Sequence, residues 1–292
     1  MSSLEIEKTI RVIIYSYKGK KLQSVIENLQ KNASGYNKII YDVWDQYPLI
    51  REDVIGSLPD VRYQYIFWDH ITSPSKYIQT SLSSSKEEYV LILADNVILP
   101  ERWDSVFINL TNGTSKILSG QGKTNILQKD LFFLTEEIEK TNEPTISHWI
   151  NKDLIFCKKS YFLLFQYPQY LKHFGINEVL SVSAFCHGID VVSLPSESFT
   201  KIADDTVGVL YTPFSIKHNY NDAISLLKTG INKYSNLTNL KRTVQEFASL
   251  HSLSTDTLKP LPFLEDDVQY DPHNNSFDKI DSRKFMTKIH YI

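Results

Sequence analysis

Four apolar runs in the first hundred residues end in polar or aromatic side chains: Ser16-Tyr17, Trp44-Asp45, Trp68-Asp69-His70 and Asp95-Asn96. Asp95 and Asn96 close the most apolar of these runs, and Val97-Ile98-Leu99-Pro100 follows. A carboxylate and an amide on adjacent residues supply two oxygen donors. Mn²⁺ or Mg²⁺ takes such ligands while phosphate oxygens complete an octahedron. An aspartate at a strand end also serves as a turn or cap residue, so the position alone leaves both readings open. Lys76 follows Ser73-Pro74, with Ser73 as N-cap and Pro74 at the first helical position. The amides and dipole of such a helix start favour an anion. A plain surface lysine is the alternative.

Several catalytic signatures are missing. The sequence has no G-x-x-x-x-G-K-[ST] loop, no G-x-G-x-x-G after the first apolar run, no G-x-S-x-G elbow and no H-E-x-x-H pair. Kinase, P-loop NTPase, Rossmann dehydrogenase, α/β-hydrolase and zincin chemistries are thereby excluded. Ser16-Tyr17-Lys18-Gly19 also lacks the Gly-rich loop of a sugar nucleotidyltransferase.

The elements that would position these residues are legible from periodicity. Ile10 to Tyr17 is β-branched, aromatic and near-continuously apolar, as in a strand buried on both faces of a parallel sheet. Leu22, Val25, Ile26 and Leu29 repeat at helical spacing until Ser34-Gly35. Lys38 to Asp45, Val61 to Asp69 and Glu88 to Asn96 predict further strands, and Ser73-Pro74 opens a helix through about Lys86. This alternation implies right-handed crossovers, an α/β class and a ligand beyond the carboxyl ends of the strands. The second half is less regular. Strands are expected over 116–120, 154–157 and 189–194, and helices over 129–140, 177–187 and 236–250. After Ser254 the chain is rich in Pro, Asp and Asn, an extended tail packed on the domain or mobile.

The chain has 292 residues, 42% hydrophobic and 22% charged, a composition that folds without staples. A net charge of −3 gives no global basic excess for nucleic acid. Cys157 and Cys186 do not form a C-x-x-C pair and fit a reducing compartment. Met1 to Lys8 lacks the apolar core of a signal peptide, and no apolar run approaches membrane-spanning length. The expectation is a cytoplasmic protein that does not enter the membrane.

The order of these features resembles that of GT-A fold glycosyltransferases over residues 9–222, including cytoplasmic GlcNAc-transferase-like and phage DNA-modifying members. Leu93 to Pro100 resembles their DxD region, with one acid, Asp95, where the full motif has two; Trp103-Asp104 adds to the likeness. Ser73 to Ile78 resembles the segment bearing a basic residue near the diphosphate, and Tyr211 to Tyr220 resembles the late H-x-Y region. His173 to Ser181, followed by Gly188-Ile189-Asp190-Val191, resembles the helix that borders the acceptor pocket. The resemblance implies a Rossmann-like GT-A fold with a mostly parallel central sheet and a C-terminal helical and extended appendage. A glycosyltransferase domain over 9–222 would divide into a nucleotide-sugar-binding half, 9–110, and an acceptor half, 111–222, with the appendage over 223–292. It implies that Asp95, Asn96 and His218 hold Mn²⁺ or Mg²⁺, and that Lys76 and Lys217 add charge at the diphosphate of a UDP-sugar. Tyr15, Ser16 and Tyr17 would line the base pocket, with Asp45 or Asp69 on uracil or ribose hydroxyls. Glu178 would bind sugar hydroxyls or act as general base; otherwise Asn177 caps the helix and Glu178 complements its dipole.

The composition is rich in Lys, Asn, Ser, Ile and Tyr, as in AT-rich phage and bacterial genomes. Some phage glycosyltransferases decorate hydroxymethylated cytosine in DNA, which makes such DNA one expected acceptor. Lys158-Lys159, Lys241-Arg242, Arg283-Lys284 and Lys288 are its candidate phosphate contacts. A bacterial surface glycan and a protein hydroxyl are the other acceptor classes. The alternative function is a noncatalytic nucleic-acid-binding or structural protein on a Rossmann-like scaffold.

Overall fold

The computed structural model describes residues 7–16, 21–46, 51–66, 74–112, 114–120, 142–165, 167–168, 176–202, 225–232 and 235–251. The first strand, β1 (Thr9–Ser16), places Ile10, Val12 and Ile14 in one core cluster and Ile13 in another, all fully buried. Burial on both faces is why its sequence shows no polar alternation. Helix α1 (Leu22–Lys31) buries Leu22, Val25, Ile26 and Leu29, the apolar stripe seen in its spacing. The chain then runs through β2 (Lys38–Asp45), the short α2 (Glu52–Ile55), β3 (Val61–Tyr65), α3 (Pro74–Ser84), β4 (Tyr89–Ala94) and β5 (Val97–Ile98). After α4 (Trp103–Thr111) come β6 (Lys116–Ser119), β7 (Thr145–Ile146), β8 (Leu154–Lys158), α5 (Tyr161–Leu164), α6 (Ile176–Cys186), β9 (Asp190–Ser193) and β10 (Thr200–Lys201). Residues 225–229 belong to a helix, α7. The hairpin β11 (Ile231–Asn232) and β12 (Ser235–Asn236) and the final helix α8 (Val244–Leu250) complete the described chain.

The eight-stranded sheet has the order β3-β2-β1-β4-β8-β6-β9-β7. The first four strands are parallel, and β6 and β9 run with them; β8 and β7 are opposed. This is the mostly parallel α/β sheet expected from the sequence. Helices α1 and α4 cover one face. Helices α3, α6 and α8 cover the other, and Leu226, Leu227 and Leu237 from the C-terminal part join that second core.

Two local readings need correction. The helix expected over 236–250 exists only as α8, which Thr243 and Glu246 start with a reciprocal capping box. Asn236 ends the hairpin, residues 237–243 are irregular, and Leu240 is exposed, so the apolar spacing through Leu240 is not a helix face. The strand through Asn96 stops at Ala94, because Asp95 and Asn96 turn the chain. Trp103-Asp104, taken as part of the glycosyltransferase likeness, holds structure together. Trp103 is fully buried and its Nε1 donates to the Leu29 carbonyl at 3.0 Å. The Asp104 carboxylate accepts from Ser34 N at 2.8 Å, Ser34 Oγ at 2.6 Å and Asn37 Nδ2 at 2.7 Å, pinning the loop between α1 and β2. The helix expected over 129–140 and the N-cap at Ser73 lie outside the described residues.

Candidate functional site

Parallel pairing lines up the carboxyl ends of three strands. Ser16 faces Asp45 across β1 and β2, and Tyr15 faces Ala94 across β1 and β4. Directly beyond Ala94 stands the Asp95–Asn96 turn, both side chains half-buried. Its backbone is clamped on two sides: Ala94 N donates to the Asp153 carbonyl at 2.9 Å, and Ile202 N donates to the Asn96 carbonyl at 2.7 Å. The first clamp exists because β8 runs against β4 and so brings the turn that precedes it to this end of the sheet. The second follows from the pairing of β5 with β10. Lys201 closes the ring by pairing with the Asp153 carboxylate.

The first turn of α6 borders this ring. Lys152 N donates to Asn177 Oδ1 at 3.0 Å. Asn177 therefore lies inside the helix and ties it to the turn before β8, rather than acting as its N-cap. Glu178, 7% exposed, is the next residue. Burial pushes its carboxyl up to about 7, against the opposing pull of a backbone amide and of Lys152. A carboxyl poised near neutrality suits proton transfer. Ser181 Oγ, one turn on, accepts from Ile150 N at 2.8 Å and fixes the approach to the 151–153 turn.

At the end of β1, Ser16 is fully buried and its Oγ has no hydrogen-bond partner among the described residues. Tyr15 stacks on Tyr77 of α3 at 6.2 Å between ring centroids, and Tyr77 packs against Trp44 at 5.0 Å. Tyr15 is thus partly committed to seating α3. Asp45 is fully buried; its Oδ2 accepts from Arg51 Nε at 2.8 Å and from Tyr63 Oη at 3.1 Å. Lys76 is exposed in the first turn of α3, the helix that packs on β1. Tyr17, Asp69, Lys217 and His218 lie outside the described residues.

The structure thus brings Asp95, Asn96 and Glu178 to one end of the sheet, with Ser16 and Asp45 beside them. Sequence reasoning missed Arg51, Lys152 and Lys201. Arg51 follows β2 by a few residues and Lys152 sits next to an acid, but no motif marks either. Lys201 reaches the site only through the β5–β10 pairing. Of the basic pairs invoked for nucleic acid, Lys159 donates to the Ser85 carbonyl, and Arg242 pairs with Asp190 at 2.8 Å while lying over the Phe185 ring. Among the described residues no group of three His, Cys, Asp or Glu could hold a metal ion. The Asp95 carboxylate and Asn96 amide nevertheless fit a cation whose remaining ligands come from a diphosphate, since Mg²⁺-type sites use one or two carboxylates plus phosphates. No helix among the described residues is long and apolar enough to cross a membrane.

No model of a known protein family and no curated protein sequence matches the chain. Solved structures do. S. aureus TarS 1-349 in complex with UDP-GlcNAc matches with a TM-score of 0.56 and 11% identity, over 95% of this chain and 77% of that chain. GalNAc-T7 with UDP, GalNAc and Mn²⁺ matches with a TM-score of 0.55 and 13% identity, over 75% of this chain and 49% of that chain. A second S. aureus TarS 1-349 structure gives a TM-score of 0.54 and 11% identity, over 76% of this chain and 66% of that one. In that match the chain spans just under two thirds of the TarS structure, and it spans about half of GalNAc-T7. The likeness establishes the fold, a Rossmann-like GT-A arrangement.

Proposed function

We propose that the chain is a glycosyltransferase that moves a sugar from a UDP-sugar to a hydroxyl acceptor, with Mn²⁺ or Mg²⁺ on the donor diphosphate. The observation that carries this reading is the clamped Asp95–Asn96 turn at the carboxyl end of β4, beside Glu178, in a fold shared with TarS bound to UDP-GlcNAc and GalNAc-T7 bound to UDP and Mn²⁺. Asp95 and Asn96, with His218, would hold the cation, whose chemistry is to neutralise charge on the departing diphosphate. Lys76 and Lys217 would add point charges there. Tyr15, Ser16 and Tyr17 form the wall beside the base. Asp45 with Arg51, or Asp69, serves the uracil or ribose.

Glu178 takes the proton of the acceptor hydroxyl while its oxygen bonds to the anomeric carbon and UDP leaves with the electron pair of the broken bond. That geometry of roles belongs to an inverting transfer. The acceptor is a hydroxyl compound, and 5-hydroxymethylcytosine in DNA is one class to test on the strength of composition.

The test is release of UDP from a panel of UDP-sugars, with and without Mn²⁺, in the wild type and in Asp95→Ala. Metal-dependent release that falls at least about a hundredfold in the variant is expected, since the cation supplies several kcal/mol. Full activity in Asp95→Ala sinks the metal assignment. Repeating the panel with hydroxymethylated DNA, glycan and peptide acceptors identifies the acceptor. No release with any of them, together with salt-dependent binding of duplex DNA, would favour the noncatalytic alternative.

A further inference from the structure

The two backbone anchors of the Asp95–Asn96 turn come from different parts of the chain. On one side Ala94 N donates to the Asp153 carbonyl at 2.9 Å; on the other, Ile202 N donates to the Asn96 carbonyl at 2.7 Å. The turn that carries Asp153 is held by hydrogen bonds of its own. Asp153 N donates to Asn151 Oδ1 at 3.0 Å, Asn151 N donates to Ser119 Oγ at 2.7 Å, and Lys152 N donates to Asn177 Oδ1 at 3.0 Å. The second anchor follows β10, which pairs with β5 over two residues and sets Lys201 opposite Val97. Phe199 and Ile202 pack on the apolar core and keep this segment docked. The Lys201 ammonium then pairs with the Asp153 carboxylate at 2.5 Å, which ties the two anchors to each other. The two side chains are 42% and 30% exposed, and an ion pair that open to water adds little to global stability. What it fixes is the place of Ile202 relative to Asp153, and with it the shape of the turn held between them.

On the reading of that turn as the cation site, we propose that Lys201 and Asp153 are its positioning residues. Their ion pair closes a ring through Ala94, Asn96 and Ile202 and so sets the spacing of the Asp95 carboxylate and the Asn96 amide. Groups that orient metal ligands without touching the ion change metal affinity by about ten- to a hundredfold. Charge alone makes the opposite prediction for Lys201. Removing a positive charge near a cation site strengthens cation binding, whereas loosening the turn weakens it. Asp153→Asn weakens binding on either account, so Lys201→Met is the deciding variant.

The measurement is the affinity for UDP by calorimetry, with and without Mn²⁺, alongside thermal melts. The ratio of the two affinities isolates what the cation contributes. In the wild type Mn²⁺ should tighten UDP binding. In Lys201→Met and in Asp153→Asn that ratio should fall by about tenfold with little change in melting temperature. The double variant should fall no further than the weaker single one, because either change already opens the ring. Lys201→Arg should restore most of the ratio. A ratio that is unchanged or raised in Lys201→Met overturns the proposal, as do fully additive losses in the double variant. A wild type whose UDP affinity ignores Mn²⁺ overturns the cation site itself, a failure visible before any variant is made.

Discussion

Asp45 is fully buried and shares Oδ2 between Arg51 and Tyr63. A carboxylate at the end of a strand was legible as a candidate ligand contact, but its partner was not. Arg51 pairs back to the end of β2, six positions earlier, and no residue pattern encodes that return. The pairing means that Arg51, 17% exposed at its side chain, is presented beside the site on a fixed support. Arg51→Ala should cost about 3 kcal/mol, because removing one member of a buried pair strands the other. The double variant with Asp45→Asn should lose less than the sum of the single changes. Urea midpoints of the four proteins measure this coupling. Additive losses would show that the two side chains do not act as a pair.

At the scale of elements, α8 shows how a short helix is held by tertiary contacts. Val244, Phe247 and Ala248 are buried, and Trp149 Nε1 donates to His251 Nδ1 at 3.1 Å just past its end. That bond makes Nδ1 the acceptor and puts the neutral ring's proton on Nε2. Burial first, and then His148, lower His251 to about 4. The unfolded chain therefore binds the histidine proton at a higher pH than the folded chain does. This contribution to stability is fully present above about pH 6.5 and declines as pH falls toward 4. Replacing His251 with Phe should flatten the fall in melting temperature over that window, as thermal unfolding against pH would record. An unchanged slope would remove His251 from the acid response.

Across the whole molecule, one buried ion network ties the sheet together away from the site. Arg11, 2% exposed, donates from Nη1 to Asp42 Oδ1 at 2.7 Å and from Nε and Nη2 to both oxygens of Glu87 at 2.9 and 3.0 Å. It thereby joins β1, β2 and the segment that enters β4. Burial lifts the Glu87 carboxyl, but the Arg11 and Ser85 hydrogen bonds outweigh it and hold it at about 2. Its folded value lies below the ordinary 4.5, so its stabilisation is present above that pH and is lost as pH falls through about 2. Glu87→Gln should cost about 3 kcal/mol at neutral pH and much less near pH 2, by denaturant titration at the two pH values. Equal losses at both would argue that the network acts by shape and not charge.

The sequence by itself determined the central strands and their carboxyl-end residues. β1, β2 and β4 are rich in β-branched and aromatic residues and largely buried, and α1 shows its stripe, so local composition carries the answer. It did not determine α4, whose N-cap Arg102 is left-handed and makes no side-chain cap bond, nor the length of α8. Only the tertiary structure decided that Asp95 and Asn96 sit beside Lys152, Asp153, Lys201 and Glu178. Those neighbours arrive from an antiparallel strand, a two-residue ribbon and a helix start. They are brought together by backbone hydrogen bonds between segments about 50 to 100 residues apart, and such bonds leave no periodic trace in the side chains.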